Sequence, residues 1–193
     1  MNFLAHLHLA GPDPAFQVAN FLGDFGKGRI ESFPEPLQSG MRYHRLVDHL
    51  VDRHPVLSRC RSLVHPSRAR WAGVISDLIW DHFLAKHWTE FSAVGLETFT
   101  RRFYRELKSR PEWHFGRLPT IVDSLCQERW LEHYATLHGM RRTFNGMSYR
   151  SKRSGPLKFG ILDLTEHYCA WEARFLHGYP QLLDSLKSHP PGK

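Results

Sequence analysis

Asp77 and Asp81 lie four residues apart in a stretch that is otherwise apolar nearly all round. At helical spacing they share one face. Two ionised carboxylates on one buried face repel each other and lose their hydration. The cost is roughly several kcal/mol per ion unless a cation compensates. His44 and Asp48 repeat the four-residue spacing, on a face shared with Met41 and Val51 that points to the core. His6 is set in the apolar run FLAHLHLA, one turn from Asn2 and Phe3. Asp24 follows an apolar helix and is bounded by Gly23 and Gly26, so no crowding neighbour keeps its carboxylate from reaching inward. His6, Asp24, His44, Asp48, Asp77 and Asp81 thus come from four helices as candidate metal ligands. Imidazoles and carboxylates without a thiolate suit Mn²⁺, Mg²⁺ or Fe²⁺ better than a structural zinc. The alternative is ion pairing, with Arg42, Arg45 or Arg53 as the cations and the histidines as satisfied core residues.

No other catalytic pattern competes. GxSxG, HExxH and the GxxxxGK[ST] phosphate loop are absent. Gly23-Asp24-Phe25-Gly26-Lys27-Gly28 is glycine-rich, but no strand precedes it, so a dinucleotide-binding reading fails. Cys60, Cys126 and Cys169 are odd in number, far apart and without a CxxC. That excludes a cysteine-rich zinc site, argues against a disulfide framework and fits a reducing cytoplasm.

The elements that must position these side chains are helical. Strand signals are weak, whereas apolar residues recur at three and four residues along most of the chain. The spacing predicts helices over 2–9, over 14–24 after the turn Gly11-Pro12-Asp13-Pro14, and over 37–53 after the loop Phe33-Pro34-Glu35-Pro36. A short helix follows from Pro55 to about Val64. A long buried helix covers 68–88. An amphipathic helix carries Leu96, Phe99, Phe103 and Leu107. Another runs from Pro119 through Trp130 to Tyr134, and the last spans about 163–177. The expectation is one all-α domain over 1–193, a bundle of about eight helices, with a frayed tail from Ser188 to Lys193.

The chain has 26 Lys plus Arg against 19 Asp plus Glu, a formal net charge of +7. That favours an acidic partner without choosing among them. No acidic side chain stands between Glu132 and Asp163, an interval holding Arg141, Arg142, Arg150, Lys152, Arg153 and Lys158. It reads either as a solvated face or as an anion-binding loop made mobile by Gly139, Gly146 and Gly155. No apolar run approaches the roughly 20 residues of a membrane span. MNFLAHLHLA lacks the basic start of a signal peptide.

Five segments in order, MNFLAHLHLA, NFLGDFGKG (20–28), YHRLVDHLVDRHP (43–55), SDLIWDHFLAKHW (76–88) and ERWLEHY (128–134), with the region from Trp171 to Phe175, carry a resemblance over nearly the whole chain. The sequence resembles the acyl carrier protein phosphodiesterase family, a divergent branch of the HD phosphohydrolases. The resemblance implies an HD-phosphohydrolase-like helical bundle with a divalent metal, Mn²⁺ being expected. It implies hydrolysis of the phosphodiester that joins 4′-phosphopantetheine to a serine of holo-acyl carrier protein. The carrier is acidic, which matches the +7 charge; neither nucleic acid nor membrane is expected as partner. Asp24 and His44 are then catalytic candidates, with Arg45 or Lys27 to offset phosphoryl charge unless they pair with the buried acids. Arg141, Arg142, Arg150 and Arg153, or the Arg101-Arg102 helix, would dock the carrier. One feature departs from the wider superfamily: no His is directly followed by Asp. Asp48, one turn past His44, would replace that Asp, and Asp24 would replace a His. The rival readings are a metal phosphohydrolase for a small molecule such as a nucleotide, and a basic helical module that binds without catalysis.

Overall fold

The computed structural model describes residues 1–192; Lys193 lies outside the described residues. Among them are twelve α-helices, joined by short turns and 3₁₀ segments, and no strand. Helix α1 (Phe3–Leu9) has no side-chain cap of its own at Asn2. Its first amides are instead answered from another helix: Leu4 N and Ala5 N donate to the two carboxylate oxygens of Asp81, at 2.8 and 3.1 Å. The turn that follows starts α2 (Pro14–Phe21) by ordinary local means. Asp13 accepts from Ala15 N, and Pro14 is pre-set for the first helical position.

Helix α3 (Glu35–Arg53) ends where His54 turns extended before Pro55, and α4 (Pro55–Cys60) begins there. Helix α3 packs closely along α2 because Gly40 has no side chain: a Cβ there would stand 2.7 Å from the backbone of Ala19 and Asn20. Helix α5 (Ala72–Lys86) is the axle of the molecule. Ile75, Leu78, Ile79, Trp80, Phe83 and Leu84 are all buried, so it is covered on every side. It lies between α1 and the C-terminal helix, where Trp80 meets Phe175 edge-on at 5.4 Å. Helices α6 (Trp88–Phe91), α7 (Leu96–Lys108), α8 (Leu118–Gln127), α9 (Trp130–His133), α10 (Leu137–Ser148), α11 (Gly160–Glu166) and α12 (Tyr168–Leu186) close the bundle over one contiguous core.

The all-α expectation agrees with this structure, and four boundaries differ for identifiable reasons. Residues 66–71 form a 3₁₀ segment, so the buried helix begins at Ala72. The helix expected from Pro119 to Tyr134 is cut by Arg129, which is left-handed at φ 55°. The cut lets Leu131 N donate to the Tyr104 hydroxyl while Arg129 pairs with Glu97 and Glu132. The last helix is broken at His167 and then runs past Pro180 to Leu186, because Tyr179, Leu182 and Leu186 continue its buried stripe. The basic interval, read either as a solvated face or as a glycine-loosened loop, is helix α10 over Leu137–Ser148, held by buried Met140 and Phe144, then turns and a 3₁₀ segment over Gly155–Phe159. Gly139 and Gly160 serve close packing there, against the His133 carbonyl and the Phe144 ring. The tail is in turns as far as Gly192.

Candidate metal centre and adjoining cavity

Helix α1 brings His6 to α3, and α3 presents His44 and Asp48 one turn apart. His6 Nε2 lies 3.1 Å from Asp48 Oδ1, and His44 Nε2 lies 3.3 Å from Asp48 Oδ2. The two imidazoles stack with centroids 3.9 Å apart and planes inclined by 16°. These three residues offer donor atoms that all lie within 4.8 Å of one another, a possible metal-binding triad. Both rings are buried, and Asp48 is partly open to solvent. His44 is pressed into place from behind: a Cβ at Gly23 would stand 2.7 Å from its Cδ2.

The electrostatics separate the partners. Burial pushes His6 down to about 3, so its ring stays neutral, the form in which imidazole is a ligand. Burial alone would raise Asp48, but hydrogen bonds from His44 and His6 outweigh it and hold the carboxyl well below the usual range. The Met1 ammonium sits 3.4 Å from Asp48 Oδ1 and 3.6 Å from Asp77 Oδ1. Burial raises the Asp77 carboxyl above its ordinary value. Asp24 reaches solvent, yet enough protein surrounds it that desolvation pushes its carboxyl up to about 6, against the pull of His44.

Asp81, expected among the metal ligands, points elsewhere. It is fully buried, and both its oxygens are taken by the α1 amides. Burial still lifts it to about 7. Arg45, expected beside a phosphoryl group, is exposed and donates to the Gly28 carbonyl at 2.8 Å, which ties the glycine-rich turn to α3. Lys27 is exposed on the same turn. The expected docking arginines divide. Arg141 and Arg153 face solvent, whereas Arg142 and Arg150 line a cavity of about 420 Å³.

That cavity adjoins the acid cluster. Its inner wall includes Asn2, Phe3 and Leu78, chain neighbours of Met1 and Asp77, together with Tyr134. The Tyr134 hydroxyl accepts from Asn2 Nδ2 at 2.8 Å. Arg142 is answered by Glu128 at 3.1 Å. Arg150 sits on the turn after α10, which Ser154 braces by accepting from Ser151 N and donating to the Ser148 carbonyl. Desolvation and the repulsion of Arg117 lower the Arg150 guanidinium, and Asp24 attracts it. Sequence reading passes over Arg117 and Tyr134. Arg117 follows Gly116, left-handed at φ 60°, in a connection with no periodicity to aim it.

The family model described as Acyl carrier protein phosphodiesterase matches residues 1–182. A protein of that name from Enterobacter sp. (strain 638) is 34% identical over 190 residues, covering 97% of this chain and 98% of its own. Another, from Salmonella agona (strain SL483), is 34% identical over 185 residues, covering 95% and 96%. No solved structure matches. By a match that runs from the first residue of the His6 helix to the last helix of the bundle, the chain belongs to the acyl carrier protein phosphodiesterase family.

Proposed function

We propose that this protein hydrolyses the phosphodiester between 4′-phosphopantetheine and a serine of holo-acyl carrier protein, with a divalent cation, Mn²⁺ by preference, held by His6, His44 and Asp48. The observation that carries the reading is the convergence of those three donors within 4.8 Å, in a chain whose relatives are named for acting on acyl carrier protein. Two imidazoles and a carboxylate are a donor set that fits such a cation. The Nε2 atoms of His6 and His44 both face Asp48; with an ion held there, the ring protons would sit on the Nδ1 atoms, which are buried without a protein partner. Asp77 and Asp24 add negative charge around the same point. Asp81 is left out of the set, since it anchors α1.

When bound, the cation supplies Lewis-acid polarisation of the phosphoryl oxygen and lowers the pKa of coordinated water. The remaining work falls to the chain. Water adds to phosphorus, the bond from phosphorus to the serine oxygen breaks, and that oxygen leaves with a proton. Asp24, its carboxyl raised to about 6, takes the proton of the water and returns one to the serine oxygen. Arg150 stands across from Asp24 and balances phosphoryl charge; Lys27 adds to the positive field from the glycine-rich turn. The pair His44 and Asp48, one turn apart rather than adjacent, is then a variant of the HD arrangement. Among the described residues no helix is long and apolar enough to cross a membrane. Its three free cysteines fit action in the cytoplasm.

The test is incubation with holo carrier and Mn²⁺, followed by intact mass spectrometry. Loss of the prosthetic group with appearance of free 4′-phosphopantetheine supports the reading. A carrier of unchanged mass at saturating Mn²⁺ overturns it, and hydrolysis of a nucleotide diester in the same assay would favour the small-molecule rival.

A further inference from the structure

We propose that the cavity beside the acid cluster seats the prosthetic arm, with Arg117 and Arg150 gripping its phosphate and the wall of Ile121, Trp130 and Met147 carrying the arm. This rests on the phosphodiesterase reading above. At about 420 Å³ the cavity falls within the roughly 300–1,000 Å³ of small-molecule sites. Its lining is amphipathic in an ordered way. Arg117 and Arg150 share it and repel each other. Two guanidiniums kept close without a matching pair of acids leave positive charge for an anion to neutralise. Arg142 does not add to this excess, because Glu128 answers it. Asn2 and Leu78 in the cavity wall are chain neighbours of Met1 and Asp77, which pair at 3.6 Å, so the cavity opens beside the acid cluster. Ile121, Trp130 and Met147 are only half-buried without a ligand, so a long, uncharged, partly apolar chain would cover them. A phosphate on such a chain has this chemistry.

A consequence follows for turnover. The substrate diester carries one negative charge and the released monoester close to two near neutrality. A paired-guanidinium site therefore holds product more tightly than substrate arm, and free 4′-phosphopantetheine should inhibit competitively.

Titration calorimetry with free 4′-phosphopantetheine and with pantetheine, which lacks the phosphate, tests the assignment. The expected result is that the phosphorylated arm binds the wild-type protein at least about tenfold more tightly, the size of a charge-assisted hydrogen bond. Arg117→Gln and Arg150→Gln, both substitutions of exposed side chains, should each remove most of that advantage and leave pantetheine unchanged. Gly146→Phe probes the wall. Gly146 lines the cavity within α10, and a Cβ there meets nothing within 4 Å, so the variant adds bulk at the cavity wall from a position with room for a side chain. It should weaken both ligands while the melting temperature holds. Wild-type affinity for 4′-phosphopantetheine in both arginine variants overturns the proposal, as does unaltered binding in Gly146→Phe. The two readings fail separately. If holo carrier is cleaved but these variants bind like wild type, the cavity assignment falls alone. If binding follows the predicted pattern but no carrier is cleaved, the assignment stands and the phosphodiesterase reading falls.

Discussion

Burial keeps the His6 ring, stacked on His44 at 3.9 Å, uncharged, and that neutrality has a pH signature. His6 folded titrates at about 3, against about 6.5 in an unfolded chain. As pH falls from about 6.5 toward 3 the unfolded chain gains a proton that the folded one refuses. Stability is lost through that window, by at most about 1.4 kcal/mol per pH unit for one group. Asp24 and Asp81, whose carboxyls are raised, act with the opposite sign between about 4 and 6–7, so the difference between proteins isolates the histidine. Urea titrations of metal-free His6→Asn should show a shallower decline than wild type between pH 6.5 and 4; parallel slopes would reject a neutral buried His6. Gly23→Ala makes a second prediction at this scale. The added methyl collides with the His44 ring, so Mn²⁺ affinity should fall at least about tenfold with helix content preserved by circular dichroism. The residues legible from sequence were those whose partners lie on the same helix or whose apolar surroundings mark them as inward: His6, His44 and Asp48. The spacing of Asp77 and Asp81 was legible too, but their separate fates were not. Periodicity says which face a carboxylate shares; it does not say that two amides of a helix beginning at Phe3 will arrive there to claim it.

Helix α1 is a seven-residue element with no cap of its own, held by one carboxylate of α5 and by its buried apolar residues. Asp81→Ala would strand two buried amides and should cost about 1–3 kcal/mol, read as a lowered urea midpoint at pH 8. Asp81→Asn, which keeps one acceptor, should cost less. Because Asp81 lies outside the proposed ligand set, the Asn variant should retain full Mn²⁺ stoichiometry; loss of the ion without loss of fold would return Asp81 to the first coordination sphere. The elements themselves were read well wherever one face is apolar and the ends are marked by proline, as in α2, α3 and α7. The misreadings fall where local signals oppose packing. Glycines suggested a loop, yet Gly139 and Gly160 are there to let α10 meet a carbonyl and a ring. Arg129 is left-handed where it pairs with Glu132, three residues on, and with Glu97, distant in sequence, while Leu131 N reaches the Tyr104 hydroxyl.

The whole molecule carries +7, and its charge is not spent on one surface. With Arg142 and Arg150 in the cavity, Arg141, Lys152, Arg153 and Lys158 remain as other exposed cations of the interval that could steer an acidic carrier. The value of kcat/KM for holo carrier should fall as NaCl rises, since exposed charges are screened over about 8–10 Å at physiological ionic strength, with kcat changing much less. Neutralising Arg141 and Arg153 together should flatten that salt dependence and leave Mn²⁺ content unchanged. Wild-type salt dependence in the double variant would move the docking surface to Arg101 and Arg102 on α7. Metal should also be felt globally. Mn²⁺ at 100 times its dissociation constant should add about 2.7 kcal/mol, a rise of about 5–10 °C in Tm for a chain of this size; an unmoved Tm across a wide Mn²⁺ range would speak against any resident ion.

The anchoring of α1 on Asp81 spans 77 and 76 residues of chain. During synthesis α1 leaves the ribosome before α5 and has nothing to hold it until α5 has followed, and α5 in turn waits for α12 to cover its far side. Closing such long loops is what slows folding in chains dominated by distant contacts. His6 therefore reaches Asp48 late, and a nascent chain released before α5 has emerged presents a bare apolar helix to chaperones rather than a metal site.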